Sequence, residues 1–310
     1  GLSATRYFLV GANMGLKIPK AIELINFESL DAINAEYLII TSEKLNNNEG
    51  GSYPVQAYAD FRSSANGGNY KTAVINVEDL YDQFSYGIKE HAISFRNFAQ
   101  YINGRWPDFE LAFLVGKALS YGNRNKNTGI ESLVPTYGKP GSDILLFTEK
   151  GLTYPFVGVG RLAARTKEDV ANYLDKAQGH AALAELNNRT VEERMWMKDV
   201  IHLSGGDPGI QQQLFNHLSS MKSIIENSAY GGNVTTYRKT SSDPVTTALS
   251  QQILQNINNG ISMLTFFGHS SAGTFDFSVE DPDDYENTGK LPLILSMGCK
   301  SGDIHETVYS

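Results

Sequence analysis

The chain has 310 residues, of which 41% are apolar and 19% charged, with a formal net charge of −8. That composition suits one large α/β domain or two smaller lobes. It argues against nucleic acid as a partner, because Lys and Arg are scattered singly and phosphate binding needs a basic surface. No apolar run approaches the ~20 residues that span a bilayer, and the single cysteine, Cys299, excludes an internal disulfide framework and a Cys-based zinc cluster.

Gly1 to Arg6 show no signal-peptide layout and no initiator Met, as expected where a leader or upstream domain has been removed. Residues 1–34 read as a lead-in from such a domain. Short apolar, β-rich runs then alternate with longer segments at helical spacing, the pattern of parallel strands joined by crossover helices. Glu36–Thr41 is the first strand. A helix is expected around Pro54–Phe61, a Gly/Asn turn at Asn66–Asn69 and a strand at Thr72–Val77. Ala92–Tyr101 carries its apolar residues at the helical period, and Leu111–Gly116, after Pro107, reads as a buried strand. These elements form a first α/β subdomain over residues 35–140. Its last part, Ser120–Gly141, is a long loop rich in Gly, Asn and Lys, expected to cover an edge or line a cleft.

A second subdomain, residues 141–310, is expected to open with Ile144–Phe147 and Phe156–Gly160. The helix from Lys167 to Leu186 has Thr166 as its N-cap and Asp169 at its third position. A strand at Val200–Leu203, a helix at Gln211–Glu226, a strand at Val234–Arg238 and a helix at Ala248–Asn258 follow. The last two strands carry the chemistry. Ile261-Ser-Met-Leu-Thr-Phe-Phe267 runs into Gly268-His269-Ser270, and Leu291-Pro-Leu-Ile-Leu-Ser-Met297 runs into Gly298-Cys299. Pro292 fits a strand start, where its missing donor does least harm.

Open α/β sheets bind ligands beyond the carboxyl ends of their strands. His269 and Cys299 each follow a strand and one glycine, and the 29 residues between them suffice for a crossover. If the strands are parallel neighbours, both side chains emerge on one sheet edge. A thiol needs a nearby base to supply thiolate at neutral pH. Histidine suits that task and can then protonate a leaving amine. Gly268 and Gly298 let the backbone approach a substrate and offer N–H groups to an oxyanion. Strand ends alone leave a purely structural role for both residues equally open.

The segments Phe266-Phe-Gly-His-Ser-Ser271 and Met297-Gly-Cys-Lys-Ser-Gly-Asp303 resemble the two catalytic blocks of gingipain-family cysteine peptidases. The similarity extends in order through Ala35–Thr41, Val77–Ile88, Phe113–Gly116, Gly158–Leu162 and Arg165–Asp169, covering roughly residues 35 to 310. The pattern is most similar to the PorU-type sortases of the type IX secretion system of Bacteroidetes. The resemblance implies a caspase-like α/β fold of two lobes with mostly parallel sheets flanked by helices. It makes Cys299 the nucleophile, His269 the general acid/base, and the backbone N–H groups of Cys299 and Ser270 the oxyanion hole. It further implies protein or peptide substrates, secretion components as partners, and an exported, cell-surface or outer-membrane-associated location. Acyl transfer would pass through a thioester, closed by water in hydrolysis or by an amine in transpeptidation.

Three departures accompany it. Ser270 stands where the family usually has Gly, and Phe156 where an acidic residue commonly supports the histidine; read literally, this leaves a dyad without a carboxylate, with Asp276 and Asp303 as substitutes to consider. A further helix and strand are expected beyond Ser310. Ser270 and Phe156 favour the rival reading, a catalytically impaired pseudoenzyme that serves as a binding or assembly component. His305 and Glu306 fit a loop or helix start better than a base. His91, His180, His202 and His217 lack metal-ligand spacing. No cofactor is expected, although Glu280-Asp-Pro-Asp-Asp284 offers carboxylates that would suit calcium without the Gly and terminal Glu of an EF-hand loop.

Overall fold

The computed structural model describes residues 24–27, 29–47, 51, 53–124, 126, 129–184, 189–239, 247–271, 275–277 and 282–307. Among these described residues, two four-stranded sheets, parallel throughout, organise the fold. The first is built from β1 (Tyr37–Thr41), β2 (Thr72–Asn76), β3 (Leu111–Val115) and β4 (Gly158–Leu162) in the order β2-β1-β3-β4. Every residue of β1 is buried, as a central strand covered on both faces must be. Its helices are α1 (Pro54–Ser63), α2 (Val77–Ser85), α3 (Ile93–Ile102), the short α4 (Tyr121–Arg124) and α5 (Lys167–Ala184).

Local chemistry explains where these helices begin and end. Pro54 occupies the first turn of α1, where its missing N–H leaves no helical bond unmade. Asp169 Oδ2 accepts the N–H groups of Arg165 and Thr166 at 2.8 and 2.9 Å, and Asp169 N–H donates to Thr166 Oγ1 at 3.2 Å. That is the capping expected from the sequence. Tyr58 of α1 and Tyr173 of α5 meet at 5.5 Å between ring centroids, so the two helices cover one face together.

After α6 (Val191–Arg194) the second sheet collects β5 (Asp199–Ser204), β6 (Asn233–Arg238), β7 (Met263–Phe267) and β8 (Leu293–Met297) in the order β6-β5-β7-β8, with α7 (Gln211–Asn227) and α8 (Thr247–Asn259) as its helices. Ile201, Leu203, Leu264 and Phe266 pack against Ile253 and Ile257 of α8. At the edge, β8 is exposed along its whole length.

Two expectations change. β4 pairs with β3, Leu111 opposite Gly158, so the stretch after residue 140 completes the first sheet, and the chain changes sheets between β4 and β5. Ile144–Phe147 forms a 3₁₀ turn. The apolar content of both segments is that of a strand entering any core, and composition does not say which of two cores receives it.

Candidate active site

The carboxyl ends of β5, β7 and β8 converge on one edge of the second sheet. β7 and β8 run side by side, with Phe267 opposite Met297 as the last pair. Gly268 and Gly298 follow that pair, then His269 and Cys299, both exposed. The next residues join the two turns, since Ser270 Oγ donates to the Cys299 carbonyl at 2.6 Å. Both glycines are sterically required. A Cβ on Gly298 would lie 2.2 Å from Ser270 Oγ, and one on Gly268 would lie 2.9 Å from Gly205 Cα. Beyond the cysteine, Lys300 adopts a positive φ of 60°, a conformation that side chains rarely tolerate. Ser301 Oγ returns to the Gly298 carbonyl at 2.9 Å, so Cys299 sits on a closed turn.

β5 contributes the third group. Its end is tied to β7 by Gly205 N–H donating to the Phe267 carbonyl at 2.8 Å. Two residues on, Asp207 brings Oδ2 to 3.5 Å from His269 Nε2. Asp207 is fixed from its other side, because Oδ1 accepts the Gly209 N–H at 2.9 Å and its carbonyl accepts those of Ile210 and Gln211 at the start of α7. The expected absence of a carboxylate partner for His269 is therefore corrected. Phe156 does supply none, packing instead against Phe109 and Phe147, but an acid from a different strand stands beside the ring. The signal was present in Val200–Leu203 followed by Gly205-Gly206-Asp207, the same strand–glycine–functional residue layout as the other two.

Asp276 plays another part. Its Oδ2 accepts the backbone N–H groups of Gly206 at 2.7 Å and His269 at 2.8 Å, while Oδ1 lies 3.4 Å from Lys239 Nζ. One carboxylate oxygen thus clamps the turn carrying Asp207 to the turn carrying His269. Burial pushes the Asp276 carboxyl up, and the two N–H groups with the Lys239 ammonium outweigh it, leaving its pKa below the ordinary value.

The model of peptidase family C25 matches residues 31–309. The chain belongs to peptidase family C25. Its fold is that of the caspase-like gingipains. It superposes on the complex of Porphyromonas gingivalis RgpB pro- and mature domains with a TM-score of 0.62 at 19% identity, covering 88% of this chain and 58% of that one. Against the Arg-specific cysteine proteinase gingipain R (RgpB) the TM-score is 0.61 at 19% identity, over 92% and 59% of the two chains. A third structure, described only as a protease, gives 0.61 at 14% identity over 88% and 54%. The chain therefore spans less than two thirds of each of these relatives. No curated protein matches it.

Three other histidines of this C25 chain have surroundings of their own. His202 is buried within β5, and burial lowers its pKa. His217 packs on Phe267, 6.1 Å between ring centroids. His305 and Glu306 leave the second sheet altogether and contact the first. Of the acidic run considered for calcium, Glu280 and Asp281 lie outside the described residues. Among the described residues no three His, Cys, Asp or Glu side chains gather as a metal site, and no helix is long and apolar enough to cross a membrane.

Proposed function

We propose that this chain is a cysteine endopeptidase or sortase-like transpeptidase with Cys299 as nucleophile and His269 as general acid/base. The observation that carries the reading is the register of β7 on β8, which sets Gly-His and Gly-Cys at neighbouring parallel strand ends joined by the Ser270–Cys299 bond. The Cys299 thiolate attacks the scissile carbonyl carbon while His269 holds the thiol proton. The backbone N–H groups of Cys299 and Ser270 take the oxyanion. Collapse breaks the C–N bond, His269 gives its proton to the leaving amine, and a thioester remains. Water or a substrate amine then attacks that thioester, His269 accepting the incoming proton. Asp207 favours the imidazolium that forms twice in this cycle.

Protein substrates, an exported location and a link to type IX secretion follow from the sequence resemblance to PorU-type sortases. The rival reading, a binding or assembly component without turnover, draws on Ser270 and Phe156. Iodoacetamide and an electrophilic peptide probe separate the two. The peptidase reading expects rapid labelling of Cys299 that falls at least tenfold in His269→Ala. A thiol that labels slowly, and equally in both proteins, would transfer the assignment to the non-catalytic component.

A further inference from the structure

Five residues after Cys299 the chain leaves the second sheet and enters a polar pocket of the first. The fully buried Lys117 donates from Nζ to the Ile304 carbonyl at 2.6 Å. Ser120 N–H donates to the His305 carbonyl at 2.9 Å. Glu306 accepts from Ser120 Oγ at 3.3 Å and from Asn123 Nδ2. His305, only 5% exposed, brings Nε2 to 3.6 Å from Asp143 Oδ2.

The pocket is built independently of its occupant. Arg161 holds Asp143 through Nε at 2.7 Å and Nη2 at 2.8 Å, and Thr136 Oγ1 adds a bond at 2.7 Å. Arg161 Nη1 also donates to the carbonyls of Gly116 and Val134. Gly141 leaves room for the imidazole, since a Cβ there would lie 2.6 Å from His305 Cδ2. Lys117, Ser120, Asn123, Thr136 and His305 are buried, while Asp143, Arg161 and Glu306 are half-buried, and a buried donor or acceptor left without its partner is costly. Undocking the segment would strand several at once.

We infer that Ile304-His305-Glu306 is a docking segment through which the first sheet positions the Cys299 turn, with Lys117, Asn123 and Asp143 as positioning residues. The linkage is short and closed. Asp303 N–H donates to the Lys300 carbonyl at 3.1 Å and Ile304 N–H to that of Gly302 at 2.9 Å. Displacement of residue 304 is therefore passed to the turn that bears the thiol. The catalytic half of this inference rests on the proposed function; the docking half does not.

Hydrogen exchange and Cys299 alkylation, measured on the whole chain, test the two halves separately. The variants are Glu306→Ala, Asn123→Ala, their double, and Lys117→Met, which approaches the segment from a different residue should a Glu306 variant not fold. Docking predicts at least tenfold faster exchange of amides 302–306 in each variant, with β7 unchanged and the double no faster than the singles. Unchanged exchange overturns the docking segment. Positioning predicts that the ratio of alkylation rates with and without His269 falls at least fivefold toward unity in the same variants. Faster exchange with an unchanged ratio leaves the segment as a structural tie and overturns its positioning role. If the parent shows no dependence on His269, the peptidase reading fails while the exchange result still judges docking.

Discussion

Asp276 Oδ2 accepts the backbone N–H of His269 at 2.8 Å and, with the same oxygen, the N–H of Gly206 at 2.7 Å. The carboxylate fixes where the His269 ring starts, and Asp207 stands on the other clamped turn. The folded pKa of Asp276 is depressed, so the unfolded chain binds more protons as pH falls from ~3.9 through the folded value. The stabilisation is present above that window and lost within it. Asp276→Asn should cost about 1–3 kcal/mol at neutral pH and flatten the acid limb. Unfolding midpoints of both proteins between pH 2 and 7 test this; parallel curves would contradict it.

Gly298→Ala places a methyl 2.2 Å from Ser270 Oγ and 2.7 Å from Phe266 Cε1. Overpacking of this kind costs about 1–3 kcal/mol. Adding Ser270→Gly removes one of the two colliding groups, so the double variant should recover part of the loss. Thermal unfolding of the four proteins in this cycle gives the coupling, and additive losses would refute the contact.

Asp207 and His269 are a solvent-exposed pair, 55% and 61% exposed for histidine and aspartate side chains. Screening keeps such pairs to about 0.2–1 kcal/mol. Asp207→Asn should therefore slow acylation of Cys299 by no more than about fivefold, with Cys299→Ala abolishing it. Single-turnover labelling by a peptide electrophile measures both. A thousandfold loss in Asp207→Asn would assign the acid a larger role than its exposure permits.

Lys117 is buried, and desolvation lowers its pKa to about 8. Between that value and the ~10.4 of an unfolded lysine, the unfolded chain binds the extra proton, so this contribution to stability rises with pH. The penalty for burying charge is full below pH 8 and lifted above. The difference in unfolding midpoint between the parent and Lys117→Met should shift in the parent's favour from pH 7 to 10. A constant difference would place the Lys117 proton elsewhere.

The legible parts were those encoded locally. The runs that became β1, β3, β7 and β8 are short, apolar and bounded by breakers, and the Thr166–Asp169 cap is a pattern of four consecutive residues. The placement of β4 was not legible, because strand identity and sheet membership are different properties. Nor was Asp207, although its turn repeats the layout around His269; what makes it a neighbour is the order β6-β5-β7-β8.

The sequence by itself determined most of the element types, the two Gly–X strand endings and the family pattern, since these depend on periodicity, turn chemistry and residues close along the chain. Tertiary structure decided which acid stands beside His269, what Asp276 holds, and that His305 and Glu306 serve the first sheet. Apart from the Asp276–His269 bond, seven positions apart, these contacts join residues separated by long stretches of chain: 62 positions for Asp207 and His269, 70 for Gly206 and Asp276, and 187 for Lys117 and Ile304. At such separations only the packing of the sheets and the need to satisfy buried polar groups select the partner.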